Sequence, residues 1–383
     1  MHKPKSRLDR RHQGNGERMI AKKEITQFQL IFLLIHSQVG VGVITLPFDV
    51  FMTAKGDSWM SVLLTGVIIQ MAIFLFGALM MRFPSSHLYG IVQSLFGKWI
   101  GKMIVILYSM YFIAIGGHIL AKFVYILKAW MMPQTPAWLI LVLMALTAVY
   151  IVKDDLQLMA RFFVLSSVVL IGFIGLAAYA LKDANLTFIL PVGTNGVLPV
   201  IQGTGEGLYA FQGFELLLVI HPFVQSGKKG VIKAATIANI FITLFYSFLV
   251  LTCLLFFSPE EFKLVPEPVL YLVKAFSFRI IERPDLLFTS MWIVLVASAF
   301  MNTIYASSLG LSNVMNSNKI KNYVIITACL CFLLAVIFNG NYEVVSISRI
   351  YNKFIVFPFA LGLPILFLLI SIIFNKKERG NSG

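Results

Sequence analysis

Charged side chains are scarce in this chain of 383 residues, at 13% of the total, while hydrophobic residues reach 58% and the mean hydropathy is +0.86. A soluble domain of that composition would have nowhere to hide its apolar surface, so the chain is read as a polytopic membrane protein. Cysteine is scarcer still. Cys253, Cys329 and Cys331 sit in apolar runs without metal-ligand or redox spacing, which suits small hydrophobes packed in a core. The phosphate-binding loop with its lysine, the His-Glu-x-x-His zinc pattern and the Gly-x-Ser-x-Gly elbow are missing too, and His36, His118 and His221 are isolated from one another in sequence. The reading is therefore no enzyme, no metal and no cofactor. Acidic residues number 17 against 31 lysines and arginines, a net charge of +14. These basic residues are scattered over short loops and tails instead of forming one face, which argues topology and not nucleic-acid binding.

Stretches long enough to cross about 30 Å of hydrocarbon recur ten times, near residues 27–50, 59–82, 101–128, 137–152, 162–181, 199–221, 231–257, 287–311, 321–338 and 354–374. The expected organisation is a basic, disordered or lipid-associated tail over 1–24, a ten-helix transmembrane domain over 25–374 and a second tail over 375–383. The functional start is either Met1 or Met19. Ten spans put both termini on one side, and Lys22, Lys23, Arg82, Lys98, Lys102, Lys153, Arg161, Lys228, Lys229 and Lys376 fall on the loops that share it, so both termini are expected to be cytoplasmic. Between the seventh and eighth spans, Phe262, Val265, Leu270 and Tyr271 predict a short helix at the outer interface.

Two spans are interrupted by glycine: Gln38-Val-Gly40-Val-Gly42-Val-Ile-Thr45-Leu-Pro47 in the first, and Gln202-Gly-Thr-Gly-Glu206-Gly-Leu-Tyr209-Ala-Phe-Gln212-Gly-Phe-Glu215 in the sixth. Non-helical backbone at membrane depth survives only where it lines a cavity or is buried in protein. Paired broken helices opening the two halves of a chain are the mark of an inverted-repeat transporter site, in which half-helix ends offer free N–H and C=O groups to a small polar ligand. The glycines also fit a plainer role, letting helices approach closely. Glu206 is costly at membrane depth: it meets a ligand ammonium, a cation or a titrating proton, or it makes an interhelical hydrogen bond as a neutral acid. Glu215 is open between a ligand role and a structural pair with a lysine.

The first-span pattern, the run Ile25-Thr-Gln-Phe-Gln29, the sixth-span Gly205-Glu206-Gly207 with Phe214-Glu215, and the ten-span length together resemble the B subunit of bacterial spore germination receptors from about residue 19 onward. That family is a branch of the amino acid, polyamine and organocation transporter superfamily. The resemblance implies an all-α fold with a 5+5 inverted repeat and broken helices 1 and 6, in the inner membrane of spores. It further implies a nutrient germinant, typically an amino acid, and A and C subunits as partners alongside membrane lipid. Carried onto this sequence, it assigns ligand contact to Gln38, Gly40, Gly42, Thr45, Gly205, Gly207 and Tyr209, adds Glu206, and lets Pro47 terminate the first half-helix. The related transporter fold brings in the third and eighth spans. Tyr108 and Tyr111 become pocket candidates, with a lipid-facing aromatic as the competing role. Ser298 and Asn302, one helical turn apart, are candidates for an ion site or for polar helix contacts. His118 and Lys122 share a helix face, and Lys122 is either a charge at mid-span or one that snorkels to the interface.

Two functions stay open: a receptor subunit that binds a nutrient and signals germination, and an autonomous permease that couples uptake of an amino acid to a proton or sodium ion.

Overall fold

The computed structural model describes residues 25–276, 282–317, 319–338 and 355–378. The expected tail over 1–24 lies outside the described residues, as do the start of the tenth span and the end of the second tail.

The described chain is helical. It comprises α1 (Gln27–Gln38), α2 (Gly42–Ala54), α3 (Ser58–Arg82), α4 (Leu88–Trp130, kinked at Gly97), α5 (Ala137–Val152), α6 (Leu156–Ser166), α7 (Val168–Tyr179), α8 (Val197–Ala210) and α9 (Leu216–Ile220). Beyond these lie α10 (Lys228–Phe256), the short helices α11 (Pro259–Phe262) and α12 (Pro268–Lys274), α13 (Pro284–Val314), α14 (Lys321–Phe338) and α15 (Leu363–Ile373). Among the described residues, six helical stretches are long and apolar enough to cross a membrane, one of them turning at Lys55–Asp57 to join α2 to α3. Ala137–Val152 and Pro358–Ile373 are shorter apolar helices. The first and sixth rods are each assembled from two half-helices, α1 with α2 and α8 with α9. Among the described residues ten rods result, as the sequence pattern predicts.

Packing explains the placement of these two rods. α2 lies along α8, α3 packs on both α8 and α10, α1 packs on α10 and α6, and α4 lies along α13 and α14. Gly203 and Gly207, one helical turn apart on α8, face Ser61 and Thr65 of α3, where an added Cβ would run into the facing side chains. The Ser61 hydroxyl donates to the Val200 carbonyl at 2.9 Å across this close approach.

At the other end, a capping box starts α1: Gln29 N–H donates to Thr26 Oγ1 at 3.2 Å and Thr26 N–H to Gln29 Oε1 at 2.9 Å. Directly before it, Ile25 N–H donates to the Phe223 carbonyl at 3.1 Å and Gln225 N–H donates to the Ile25 carbonyl at 2.8 Å. This single parallel bridge ties the start of the first rod to the end of the sixth.

Candidate functional site

The first rod breaks between Gln38 and Gly42. Val39 leaves the helical region at φ −80, ψ 87, and Gly40 N–H turns back to the Gln38 carbonyl at 3.0 Å. Gly42 opens α2 where an added Cβ would stand 3.1 Å from Ala210 Cα, so this glycine lets the two broken rods touch. Pro47 does not terminate a half-helix. It lies inside α2, in the second turn, where its missing N–H removes one intrahelical bond without stopping a helix that runs on to Ala54.

The sixth rod breaks later than its glycine run suggests. α8 continues through Gly203, Gly205 and Gly207 to Ala210, and the unwound segment is Phe211–Glu215. Gly213 there has φ +116, a conformation that side chains other than glycine's rarely take. A Cβ at Gly213 would also collide with the Ser37 carbonyl.

Buried polar groups brace both breaks. Tyr246 of α10 shares its hydroxyl proton between the Gln38 carbonyl at 2.9 Å and the Ala210 carbonyl at 3.2 Å, one from each broken rod. Trp292 Nε1–H donates to the Gly40 carbonyl at 3.2 Å. Glu215 is anchored at the break, one bond to each oxygen: Gly213 N–H donates to its Oε2 and the Tyr111 hydroxyl to its Oε1, each at 2.9 Å.

Between the breaks lies a cavity of about 50 Å³. Its walls come from Ser37, Gln38 and Gly40–Gly42 of the first rod, Phe112, Ile115, His118 and Ile119 of α4, Tyr209, Ala210, Gln212, Gly213, Glu215 and Leu216 of the sixth rod, and Ala299, Asn302 and Thr303 of α13. Most polar groups on these walls already have partners, such as the Ser37 hydroxyl, which donates to the Leu34 carbonyl at 2.8 Å. The exceptions are Gln38 Oε1 and both amide atoms of Asn302, which are buried and meet no protein group. Gln38 and Asn302 are only 4% and 3% exposed, so solvent does not satisfy them either. Glu215 is the one charged type on the walls.

A cluster of mixed charge and aromatic character extends from the cavity wall. His118 Nε2 and the Tyr209 hydroxyl are hydrogen-bonded at 2.6 Å, and one turn farther along α4 the Lys122 ammonium lies 5.0 Å from the centre of the Tyr209 ring. Lys122 is therefore a charge inside the bundle. It interacts electrostatically with Asp49 of α2 and with Glu267, just ahead of α12. Burial pushes the Glu267 carboxyl above its usual range, against the opposing pull of Lys122.

Of the residues expected at the site, Gln38, Gly40, Gly42, Tyr209 and Asn302 line this cavity. The others lie elsewhere, each for a local reason. Thr45 is a turn into α2, and its hydroxyl meets no protein group. Gly207 is a packing position against Thr65, Gly205 faces open space, and Glu206 is a half-buried residue of α8 that interacts electrostatically with Tyr209. Tyr108 stands behind the wall and donates to the Phe359 carbonyl at 3.1 Å. That carbonyl belongs to a π-helical turn, Pro358–Gly362, whose five-residue bonding would call on Pro364, which has no N–H to give. Tyr111 holds Glu215 in place. The Ser298 hydroxyl donates back to the Val294 carbonyl of its own helix at 2.8 Å.

Sequence reasoning did not place Phe112, Ile115, Gln212, Ala299 or Thr303 at the site. Their signal was spacing: 112, 115 and 119 on α4, and 299, 302 and 303 on α13, each recur at a helical period that puts them on one face. Among the described residues no three His, Cys, Asp or Glu side chains come together as a metal site.

The family profile described as "Spore germination protein" matches residues 24–344. The chain belongs to this spore germination permease family. Its relatives include the spore germination protein YndE of Bacillus subtilis (strain 168), 28% identical over 93% of this chain and 98% of that protein, and GerQB of Bacillus cereus, 24% identical over 90% and 95%. Spore germination protein B2 of B. subtilis (strain 168) is 25% identical over 81% and 85%. Among solved structures, MhsT in complex with L-phenylalanine is similar with a TM-score of 0.67 at 14% identity, covering 93% of this chain and 91% of that one. Mhp1, a nucleobase-cation-symport-1 family transporter in a closed conformation, is similar with a TM-score of 0.65 at 13% identity, covering 90% and 78%. Both carry the inverted-repeat transporter fold. This member of the spore germination family is thus an integral, multi-pass membrane protein of germinant-receptor or transporter type and not an enzyme.

Proposed function

We propose that this chain is the nutrient-sensing membrane subunit of a germinant receptor, binding an amino acid or a similarly small zwitterion between its two broken rods and passing a conformational change to receptor A and C subunits in the spore inner membrane. The observation that carries this reading is the pair Gln38 and Asn302. Each is buried in the cavity wall with polar atoms that no protein group satisfies, an arrangement that costs about 1–3 kcal/mol per group unless something else bonds to them.

The cavity also suits a zwitterion. The first N–H groups of α2 have no intrahelical acceptors and no side-chain cap, and they carry the positive end of the helix dipole, which favours a carboxylate. Glu215, with lone pairs to spare on both oxygens, favours an ammonium. A volume of about 50 Å³ holds only a few waters at roughly 10–15 Å³ each, so the ligand belongs to the smaller amino acids. Gln38, Gly40, Gly42, Tyr209 and Asn302 are its proposed contacts. Both termini are proposed to face the cytoplasm, with tails over 1–24 and 375–383 flanking the ten-helix domain.

A thermal-shift screen of the purified chain against amino acids, nucleosides and sugars tests the reading. A small amino acid at 100 times its Kd is expected to stabilise the protein by about 2.7 kcal/mol. A shift with nucleosides or sugars and none with amino acids would overturn it. The likeness to solved transporters supports a second reading, an autonomous permease coupled to a proton or sodium ion. Uptake of labelled amino acid by this chain alone in proteoliposomes would favour the permease, whereas copurification with A and C subunits and no uptake would favour the receptor.

A further inference from the structure

Far from the central cavity, at the end of the bundle where α3 finishes, α10 begins and α15 runs out, a groove of about 560 Å³ opens to the surface. Arg82, Lys228 and Lys377 line it from three separate segments, and Leu368 and Ile372 of α15 form its apolar side. The apolar side continues onto the lipid-facing surface, since Ile372, Ile373 and Phe374 are 54%, 73% and 67% exposed.

The charges in this groove are not balanced from within. Glu378 is the one carboxylate on its wall, and its oxygens are taken by the Ser85 N–H at 2.9 Å and by the Ser85 and Ser86 hydroxyls. Among the described residues no carboxylate lies within 4.0 Å of Arg82, Lys228 or Lys377. Arg82 uses one Nη to donate to the Ser371 carbonyl at 2.6 Å and the Lys376 carbonyl at 3.3 Å, while its Nε meets no partner. Lys228 gives one of its three protons to the Met81 carbonyl at 3.2 Å.

A second cavity of about 190 Å³ shares Lys228 and Pro84 with the groove. Its wall includes His221, which is 7% exposed, and Ser226; His221 Nε2 and Ser226 Oγ are both buried without a partner. Three cations, two unmet polar atoms and an apolar flank open to the bilayer together describe a ligand that is anionic at one end and hydrocarbon at the other.

We propose that this groove is a binding site for an anionic phospholipid, with its phosphate among Arg82, Lys228 and Lys377, its remaining headgroup oxygens toward Ser226 and His221, and an acyl chain along Leu368 and Ile372. Basic pockets between transmembrane helices at the bilayer interface are suited to such headgroups, because lysine and arginine there are drawn to anionic lipid phosphates. The site bridges the second, seventh and last rods of the described bundle at their shared end, so an occupying lipid would clamp α3, α10 and the segment after α15 together.

Native mass spectrometry of the full chain, released from detergent with an equimolar mixture of phosphatidylglycerol and phosphatidylcholine, tests the proposal. Wild type is expected to retain phosphatidylglycerol about tenfold over phosphatidylcholine. The double substitution Lys228→Gln with Lys377→Gln should bring the two lipids to parity, and Lys228→Arg with Lys377→Arg should restore the preference. Equal retention of both lipids by wild type, or a preference that survives the glutamine pair, would overturn the site. A parallel thermal-shift arm separates the sources of phosphate: if glycerol 3-phosphate or inorganic phosphate alone reproduces the full stabilisation given by phosphatidylglycerol, the groove binds a soluble anion and the lipid assignment is wrong.

Discussion

Tyr111 donates its phenolic hydrogen to Glu215 Oε1 at 2.9 Å, bracing the break in the sixth rod from behind the cavity wall. A hydrogen bond to a charged acceptor contributes about 1.5–3 kcal/mol. Tyr111→Phe keeps the ring and its stacking on Phe359 but removes that donor. The variant is expected to insert and fold, to lose about 1–2 kcal/mol in thermal unfolding, and to shift the ligand dose response to higher concentration because the unwound segment is no longer held. An unchanged dose response with a lowered Tm would make Tyr111 a packing residue alone.

Glycine at 213 and at 205 should behave oppositely. Gly213→Ala asks alanine to adopt φ +116 and to push into the Ser37 carbonyl, so a large loss of stability, of the order of 2 kcal/mol or more, is expected. Gly205 is helical and nothing lies within 4 Å of its missing Cβ. Gly205→Ala should therefore be neutral or stabilising by about 0.5–1 kcal/mol. Comparing the two melting curves locates the break: a damaging Gly205→Ala beside a harmless Gly213→Ala would put it upstream.

Asn302→Leu separates recognition from folding. Both amide atoms are buried and unmet without ligand, so an apolar group of similar shape should hold or raise the melting temperature of the free protein, by up to about 1–3 kcal/mol. The same substitution should abolish the ligand-induced shift. Retention of that shift would remove Asn302 from the site.

Stability should also fall with acidity through His87. Burial lowers its pKa from 6.5 to about 4, and its Nδ1 accepts from the Gly90 N–H at 3.3 Å, capping α4. The unfolded chain takes up a proton near pH 6.5 that the folded one refuses until about pH 4. The stabilising contribution is thus complete above pH 6.5 and lost as the pH falls toward 4. His87→Asn keeps a capping side chain and should flatten the dependence of Tm on pH between 7 and 5 relative to wild type; parallel curves would assign the acid sensitivity to other groups.

The first break was legible because Gly40 and Gly42 occupy the unwound stretch itself. The sixth was displaced because one residue type serves two needs: Gly203 and Gly207 admit the side chains of α3, whereas Gly213 supplies a backbone shape, and a sequence prints both as the same letter. The positions of the tyrosines behind the cavity wall were illegible for a related reason. Whether Tyr108 contacts a ligand or a bare carbonyl depends on Pro364, more than 250 positions away. The sequence of α4 fits Lys122 equally to mid-span or to the interface, and the Tyr209 ring beneath its ammonium is a contact between distant segments that no local pattern encodes. What the sequence carried without ambiguity was the membrane architecture, since hydrocarbon thickness leaves a long apolar run few alternatives.

The short bridge of Ile25 to Phe223 and Gln225 has a mechanical implication. With the entry to one discontinuous rod stitched to the exit of the other, displacing either alone at that end of the bundle means giving up two backbone hydrogen bonds, a penalty of about 1–3 kcal/mol that favours joint movement of the two arms.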